Sequence, residues 1–218
     1  MSELLSCGPE TSPITVLLAH GAGAGMDSPF MQAIAEGLAN QGWRVIRFEF
    51  PYMSRRRSSG HRRPPDKPET LLNSFRNQVN ALSDRGPLVI GGKSMGGRIA
   101  SLLADELFND GRIRACICLG YPFHPLGQPH KLRTDHLQRM QTPTLIIQGE
   151  RDAMGRRGEV EGYPLSDRID LAWMPDGDHS FHPRKRSGRT ESMNWELAVD
   201  VVDGFLSRPA GCTPTAPG

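Results

Sequence analysis

Ser94 stands at the centre of a Gly-x-Ser-x-Gly pattern, between Gly92 and Gly96. A short apolar run, Leu88–Ile90, leads into the pattern, and a helical pattern follows it at once. A serine that acts as a nucleophile must stand on a very sharp turn, where flanking side chains would collide with neighbouring backbone. The pattern therefore predicts a strand–turn–helix unit that exposes the Ser94 hydroxyl, with the Met95 N–H group beside it to stabilise a developing oxyanion.

A histidine and a carboxylate are needed to activate such a hydroxyl, and candidates for both follow apolar runs later in the chain. Asp152 comes just after Thr144–Ile147, and His179 comes just after Ile169–Met174. Parallel strands gather their carboxyl ends at one edge of a sheet, so we expect both side chains to meet Ser94 there. The order serine, acid, histidine is one that known triads use.

Neighbouring residues offer alternatives for both partners. His182 is the main alternative to His179 as the base, while Glu150 and Asp178 are alternatives to Asp152. His179 is preferred because it directly follows the predicted loop turn. Asp178 adjoins His179 in the chain and cannot easily reach round to its Nδ1 atom, which favours Asp152.

A glycine-rich turn, His20–Gly25, follows the first long apolar run, Ile14–Ala19. A turn after an early strand can supply a second N–H donor to the oxyanion. Ala22 is the expected donor, and Gly23 is the alternative.

Two nucleotide-binding motifs share part of these segments. Gly21-x-Gly23 opens a dinucleotide fingerprint, but Met26 stands where its third glycine is required. The segment 92–94 resembles the end of a phosphate-binding P-loop, but Pro87 stands where that motif needs its first glycine. Nucleophilic catalysis is therefore the preferred interpretation of both glycine-rich segments.

Strand and helix patterns alternate along the chain and would position these residues. The apolar runs are short, rich in Val, Ile and Leu, and lack in/out alternation, which is typical of buried parallel strands. The sequence predicts an α/β architecture with a mostly parallel sheet of about six strands and helices on both faces. The expected strands are Ile14–Ala19, Arg44–Phe48, Leu88–Ile90, Ile113–Leu119, Thr144–Ile147 and Ile169–Met174. The helical stripes cover Phe30–Leu38, Leu71–Leu82, Ile99–Leu107 and Trp195–Leu206, with a weaker candidate at Leu132–Met140.

Length and composition indicate one globular domain. The chain has 218 residues, of which 37% are hydrophobic and 23% charged. We expect a domain over 13–207, an N-terminal tail over 1–12 and a disordered C-terminal tail over 208–218. The stretch Pro51–Pro68, rich in proline and arginine, is expected to be irregular.

The charge and cysteine pattern indicate which partners to expect. A net charge of +2 does not by itself imply nucleic-acid binding. Apolar runs are shorter than the roughly 20 residues that span a bilayer, and the start of the chain lacks a secretory pattern. A metal-type Cys-x-x-Cys pair is also lacking. We expect a cytoplasmic protein without a membrane or nucleic-acid partner; its oligomeric state stays open.

Four segments, 20–23, 92–98, 149–152 and 177–181, resemble the α/β-hydrolase superfamily, and most of all its small members related to dienelactone hydrolases. The resemblance covers about residues 13–207. The segment 120–143 is too short for a full cap domain. Dienelactone hydrolases proper carry cysteine at the nucleophile position, whereas this chain carries a serine.

The resemblance implies an α/β-hydrolase fold and a serine hydrolase. Small carboxylic esters or thioesters would be cleaved through an acyl-enzyme on Ser94, with His179 as the base and Asp152 as its orienter. Met95 and Ala22 would form the oxyanion hole, and no cofactor or metal is implied. A related group includes a chromatin-complex subunit, so the alternative is a non-catalytic binding or scaffold protein of the same fold.

Aromatic and basic residues follow two of the predicted strands. We expect the walls of an open, uncapped substrate site to include Tyr52 after the second strand, and Tyr121, Phe123 and His124 after the fourth. One hypothesis is that arginines on the same edge attract an anionic substrate; the alternative is a solvated basic loop. These arginines are Arg55, Arg56, Arg57, Arg62 and Arg63, with a second cluster at Arg184–Arg189.

Overall fold

Seven strands form one sheet that is parallel except at one edge. The computed structural model describes residues 4–208 and orders the strands β1-β3-β2-β4-β5-β6-β7, with β1 antiparallel to β3 and every other pair parallel. The α/β architecture with a mostly parallel sheet is confirmed. The strands are β1 Leu4–Cys7, β2 Thr15–Ala19, β3 Arg44–Phe48, β4 Leu88–Lys93, β5 Ile113–Leu119, β6 Thr144–Gly149 and β7 Ile169–Met174.

Helices cover both faces of the sheet, as the sequence predicts. The apolar sides of α1 and α6 pack on one face, and those of α2, α3 and α4 pack on the other. Within residues 4–208, none of these helices is both long and apolar enough to cross a bilayer. Their bounds are α1 Pro29–Asn40, α2 Pro51–Ser59, α3 Pro68–Ala81, α4 Met95–Asn109, α5 Arg157–Val160 and α6 Glu191–Leu206.

The central strands are buried on both sides, which explains their continuous apolar runs. On β2, Leu17 and Ala19 belong to the core beneath α3 and α4, while Val16 and Leu18 belong to the core beneath α1 and α6. Because successive side chains on a strand point to opposite faces, a strand between two helical layers is apolar at most of its positions.

Two expectations about irregular segments need correction. The expected tail 1–12 contains β1, a four-residue edge strand that pairs with β3. So short and half-exposed a strand leaves little hydrophobic signal in a sequence. The first part of Pro51–Pro68 is the helix α2, which has Pro51 in its first turn and buries Tyr52. Proline is well suited to the first turn of a helix, because its missing N–H has no partner there in any case.

The weak helical candidate Leu132–Met140 is not an α-helix; it is irregular apart from a short turn that leads into one 3₁₀ turn at Leu137–Arg139. The short helix α5 has no counterpart among the predicted elements. Of the expected disordered tail 208–218, residues 209–218 lie outside the described part of the chain.

Candidate active site

Ser94 occupies a strained turn between β4 and α4, as the Gly-x-Ser-x-Gly pattern predicts. Its backbone has φ 52° and ψ −113°, in a region that residues with a side chain rarely adopt. A Cβ atom on Gly92 would lie 2.3 Å from the Ala19 carbonyl oxygen, and one on Gly96 would lie 2.4 Å from the same atom. Both glycines are therefore required by the close approach of β2 to the turn.

A hydrogen-bonded chain links Ser94 to the two residues expected as its partners. His179 Nε2 lies 2.8 Å from Ser94 Oγ, and His179 Nδ1 lies 2.6 Å from Asp152 Oδ2. Asp152 is completely buried. Its other carboxylate oxygen accepts the Met154 N–H at 2.8 Å, and Oδ2 also accepts from the Gln148 side-chain amide at 2.8 Å.

The alternative partners have other contacts. The Glu150 carboxylate accepts from Arg157 and from the Asp176 N–H group. Asp178 accepts the backbone N–H groups of residues 180 and 182, which folds the loop that carries His179. His182 pairs with Glu191 at 2.5 Å. The geometry therefore brings together Ser94, His179 and Asp152 rather than these alternatives.

His20 and Tyr52 hold the backbone of the glycine-rich turn that follows β2. The Phe50 N–H donates to His20 Nε2 at 3.1 Å, so the imidazole hydrogen is on Nδ1, which donates to the Gly21 carbonyl at 2.6 Å. Burial lowers the pKa of His20, which favours this neutral form. The Tyr52 hydroxyl lies 3.3 Å from the Gly21 carbonyl and 3.0 Å from the Ala22 carbonyl.

The contacts of the Tyr52 hydroxyl with the Gly21 and Ala22 carbonyl groups, here called the Tyr52 clamp, also fix the direction of the turn's N–H groups. In a trans peptide, the N–H points away from the carbonyl of the same unit. The carbonyl groups of residues 21 and 22 point toward Tyr52, so the N–H groups of Ala22 and Gly23 point away from it. Ala22, Gly23 and Ser94 line one cavity.

That cavity, of about 460 Å³, lies between the glycine-rich turn, the start of α1 and the start of α6. Phe30, Met31 and Trp195 give it an apolar side, and the Phe30 and Trp195 rings meet edge to face with centroids 5.6 Å apart. The polar side carries Ser94 and His179.

The residues that the sequence suggested as pocket walls lie elsewhere, which corrects that expectation. Tyr52, Tyr121, Phe123 and His124 are each at most 2% exposed and do not line this cavity. Tyr52 lies beneath the glycine-rich turn. Tyr121 and Phe123 pack on each other, and the Tyr121 hydroxyl donates to the Arg133 carbonyl at 2.8 Å, because the segment after β5 folds back over its own aromatic side chains.

A family model described as an alpha/beta hydrolase domain matches residues 12–207. The chain belongs to this family. The sheet order and the sharp turn at Ser94 agree with that membership.

Solved structures of other α/β hydrolases share this fold. An alpha-beta serine hydrolase homologue from Coxiella burnetii superposes with a TM-score of 0.70 at 19% identity, over 91% of this chain and 90% of that one. A serine hydrolase without a lid from Xanthomonas campestris gives 0.68 at 20% identity, over 97% and 90%. A dienelactone hydrolase from Anabaena variabilis gives 0.69 at 20% identity, over 93% and 89%. At these identities the similarity concerns the fold.

Two polar residues of this α/β hydrolase site are absent from the residues predicted from the sequence. Gln148, the penultimate residue of β6, is completely buried and joins Asp152 to both backbone groups of Tyr121. Lys93 is 8% exposed, lines the cavity and donates to the His179 carbonyl at 2.5 Å. The signal for both was a polar side chain at the end of an otherwise apolar strand.

The arginines beside the α/β hydrolase site contact the protein itself. Arg57 bridges Glu49 and Asp27, at 2.6 and 2.9 Å, while Arg55 pairs with Asp66. Those carboxylates raise the pKa of Arg57. Other arginines donate to the Gly23 carbonyl, to Asp176 and to Asn194; these are Arg56, Arg184 and Arg189, respectively.

Among residues 4–208 of the α/β hydrolase domain, no group of three or more His, Cys, Asp or Glu side chains is arranged to hold a metal ion.

Proposed function

We propose that this chain hydrolyses small carboxylic esters or thioesters through an acyl-enzyme on Ser94. One observation carries the proposal: a continuous hydrogen-bonded path from the buried Asp152 through His179 to the Ser94 hydroxyl, with lengths of 2.6 and 2.8 Å. These contacts are short enough for a proton to pass directly from the hydroxyl to the imidazole.

The protonation states follow from the donors and acceptors available. The Asp152 carboxylate accepts hydrogen bonds, so His179 Nδ1 carries the hydrogen and Nε2 is free to take the Ser94 proton. As Ser94 Oγ attacks the substrate carbonyl, that proton moves to Nε2. His179 then donates it to the leaving alcohol or thiol, and the acyl group stays on Ser94. Water attacks in the second half of the cycle, with His179 again as the base.

Two backbone donors would stabilise the oxyanion of each tetrahedral intermediate. Met95 opens α4, so its N–H has no partner within the helix, and the positive end of the helix dipole adds to its field. The N–H of Ala22 is the second donor, with Gly23 as the alternative, because the Tyr52 clamp turns the carbonyl groups away from the cavity.

The cavity suggests the size and polarity of the acyl group. About 460 Å³ is within the range of small-molecule sites, and Phe30, Met31 and Trp195 give it an apolar lining. We therefore expect short aliphatic or small aromatic acyl groups to be preferred.

Attraction of an anionic substrate by the basic loop would depend on Arg62 and Arg63, since the arginines before them contact acceptors of the protein itself. Replacing both by alanine tests this. The KM of an anionic ester should rise with salt in the parent protein, and less so in the double variant. If the KM depended on salt equally in the parent and in the double variant, Arg62 and Arg63 would have no role in attracting the substrate.

A fluorophosphonate probe and p-nitrophenyl acetate together test the proposed function. The parent protein should be labelled covalently and should hydrolyse the ester, and Ser94→Ala should lose labelling and about 10⁴- to 10⁶-fold in kcat. Ser101→Ala, on the helix behind the nucleophile, is the matched control and should keep both activities. A parent protein that is folded but neither labelled nor active would indicate the binding or scaffold alternative.

A further inference from the structure

Lys93, the residue immediately before the nucleophile, is a buried cation without a carboxylate at ion-pair distance in residues 4–208. Its side chain ends beside His179 and lines the cavity. Its Nζ also lies 5.4 Å from the centroid of the Phe30 ring. Burying an ammonium group costs free energy that one hydrogen bond and one ring do not fully offset. Such a residue needs an explanation other than packing.

The neighbouring strand leaves room for this side chain. Lys93 pairs with Leu119 of β5, and Gly120 follows with φ +65°. A Cβ atom on Gly120 would lie 2.8 Å from Lys93 Nζ and 2.6 Å from the His179 carbonyl oxygen. The glycine thus lets Lys93 reach across the end of β5 to the loop that carries the base.

Other side chains hold that loop against different parts of the fold. Asn194 donates to the carbonyl groups of Pro175 and Phe181, and Trp195 donates to that of Ser180; both donors belong to α6. Arg151, from the loop after β6, donates to the Asp176 carbonyl. Lys93 differs because it belongs to the strand that carries the nucleophile.

We propose that Lys93 is a positioning residue, which holds the His179 carbonyl and thereby keeps the imidazole in register with the Ser94 hydroxyl. This inference rests on the proposed function. Lys93 Nζ and Ser94 Oγ belong to adjacent residues, so one hydrogen bond of 2.5 Å ties the base to the nucleophile's own backbone. Small errors in the placement of reacting groups can cost about 100-fold in rate, so a short tie of this kind has catalytic value.

The charge of the Lys93 amine that donates to the His179 carbonyl depends on pH. Burial lowers the pKa of Lys93 to about 8, and the negative charges of Asp152 and Asp178 partly offset that effect. Below this pH the ammonium makes a charge-assisted hydrogen bond to the carbonyl, and above it the neutral amine makes a weaker one. The alkaline side of the rate profile should therefore report on Lys93.

Two variants separate positioning from other roles. Lys93→Met keeps the length and packing of the side chain without its charge, and Lys93→Arg keeps the charge. With p-nitrophenyl acetate, we expect Lys93→Met to lower kcat about 10- to 100-fold, to leave KM within about twofold and to leave the melting temperature unchanged or higher. The kcat of the parent should decrease above pH 8, and this alkaline limb of the pH profile should be absent in Lys93→Met. Lys93→Arg should recover part of kcat and shift the limb to higher pH.

Three outcomes would overturn the inference. A kcat that stays near the parental value while KM rises for a carboxylate-bearing ester would make Lys93 a substrate anchor. Loss of folding in both variants, or activity that falls in step with the melting temperature, would make it structural. An unchanged alkaline limb in Lys93→Met would remove its charge from the mechanism. Failure of the proposed function is distinct, because it would appear as an unlabelled, inactive parent.

Discussion

The side-chain amide of Gln148 donates a 2.8 Å hydrogen bond to Asp152 Oδ2, the same oxygen that contacts His179. The amide oxygen of Gln148 in turn accepts the Tyr121 N–H at 2.7 Å. Gln148 therefore holds the Asp152 carboxylate in place, and the backbone of Tyr121, just after β5, holds Gln148.

Replacing Gln148 by leucine should lower kcat/KM about 10- to 100-fold, because a hydrogen bond to a charged group contributes about 1.5–3 kcal/mol. Gln148→Glu is the discriminating companion. It keeps the size of the side chain and the acceptor for Tyr121, but it places a second carboxylate against Asp152 and should be at least as impaired. Steady-state kinetics with urea unfolding of each variant would measure both effects. Parental kcat/KM in Gln148→Glu would show that packing, not the donor, matters at this position.

Tyr52→Phe should lower kcat more than it changes KM. The substitution removes the hydroxyl that orients the Gly21 and Ala22 carbonyl groups, at the cost of a hydrogen bond of about 1 kcal/mol, so a decrease of about fivefold to tenfold is expected.

Tyr121→Phe is the matched control for that change. It deletes an equally buried hydroxyl, which donates to the Arg133 carbonyl away from the cavity. Both variants should lose a similar free energy of unfolding, and Tyr52→Phe alone should lose turnover. If the two variants lost kcat to the same extent, the clamp on the glycine-rich turn would have no catalytic role.

The sequence predicts the fold and the positions of Ser94, Asp152 and His179 because simple physical rules govern them. Strands between two helical layers are mainly apolar, and each of these residues follows such a strand. The glycines at 92 and 96 leave a signal because backbone atoms of β2 fill the space where side chains would stand.

The side chains that line the cavity could not be predicted in the same way. A residue after a strand, such as Tyr121, can point into a site or beneath its own loop, and distant contacts such as the hydrogen bond to Arg133 decide between them. Trp195 reaches the cavity through the packing of α6 against α1, which no local pattern contains. In the sequence, Lys93 is an ordinary polar residue at a strand end, and its burial depends on Gly120, which lies just after another strand.

Trp195→Ala should shift the acyl preference toward longer chains. The indole closes the apolar side of the cavity against Phe30. Each additional buried methylene contributes about 0.8 kcal/mol, so two would raise the kcat/KM ratio of octanoate to acetate esters about 15-fold. Trp173→Ala, on β7 outside the cavity lining, is the control and should leave the ratio unchanged. A ratio that does not move in Trp195→Ala would place the acyl chain elsewhere.

Lys93 should also make the stability of the fold depend on pH in an unusual direction. Its pKa is lowered from 10.5 to about 8 in the native chain, so between these values the unfolded chain binds a proton that the native chain has released. The free energy of unfolding therefore rises with pH across this window, by up to about 3 kcal/mol, while below pH 8 the full cost of burying the ammonium remains.

Lys93→Met lacks that cost and should be more stable than the parent at pH 7, with a difference that shrinks as the pH approaches 10. Urea unfolding at pH 7, 8, 9 and 10 measures it. Lys131→Met, at an exposed position, is the control and should show no such pH-dependent difference. Burial also raises the pKa of Tyr52 and of Tyr121, so their effect on stability begins only near pH 10, and it is the same in parent and variant. A difference between Lys93→Met and the parent that stays constant from pH 7 to 10 would mean that Lys93 keeps its proton in the native fold throughout.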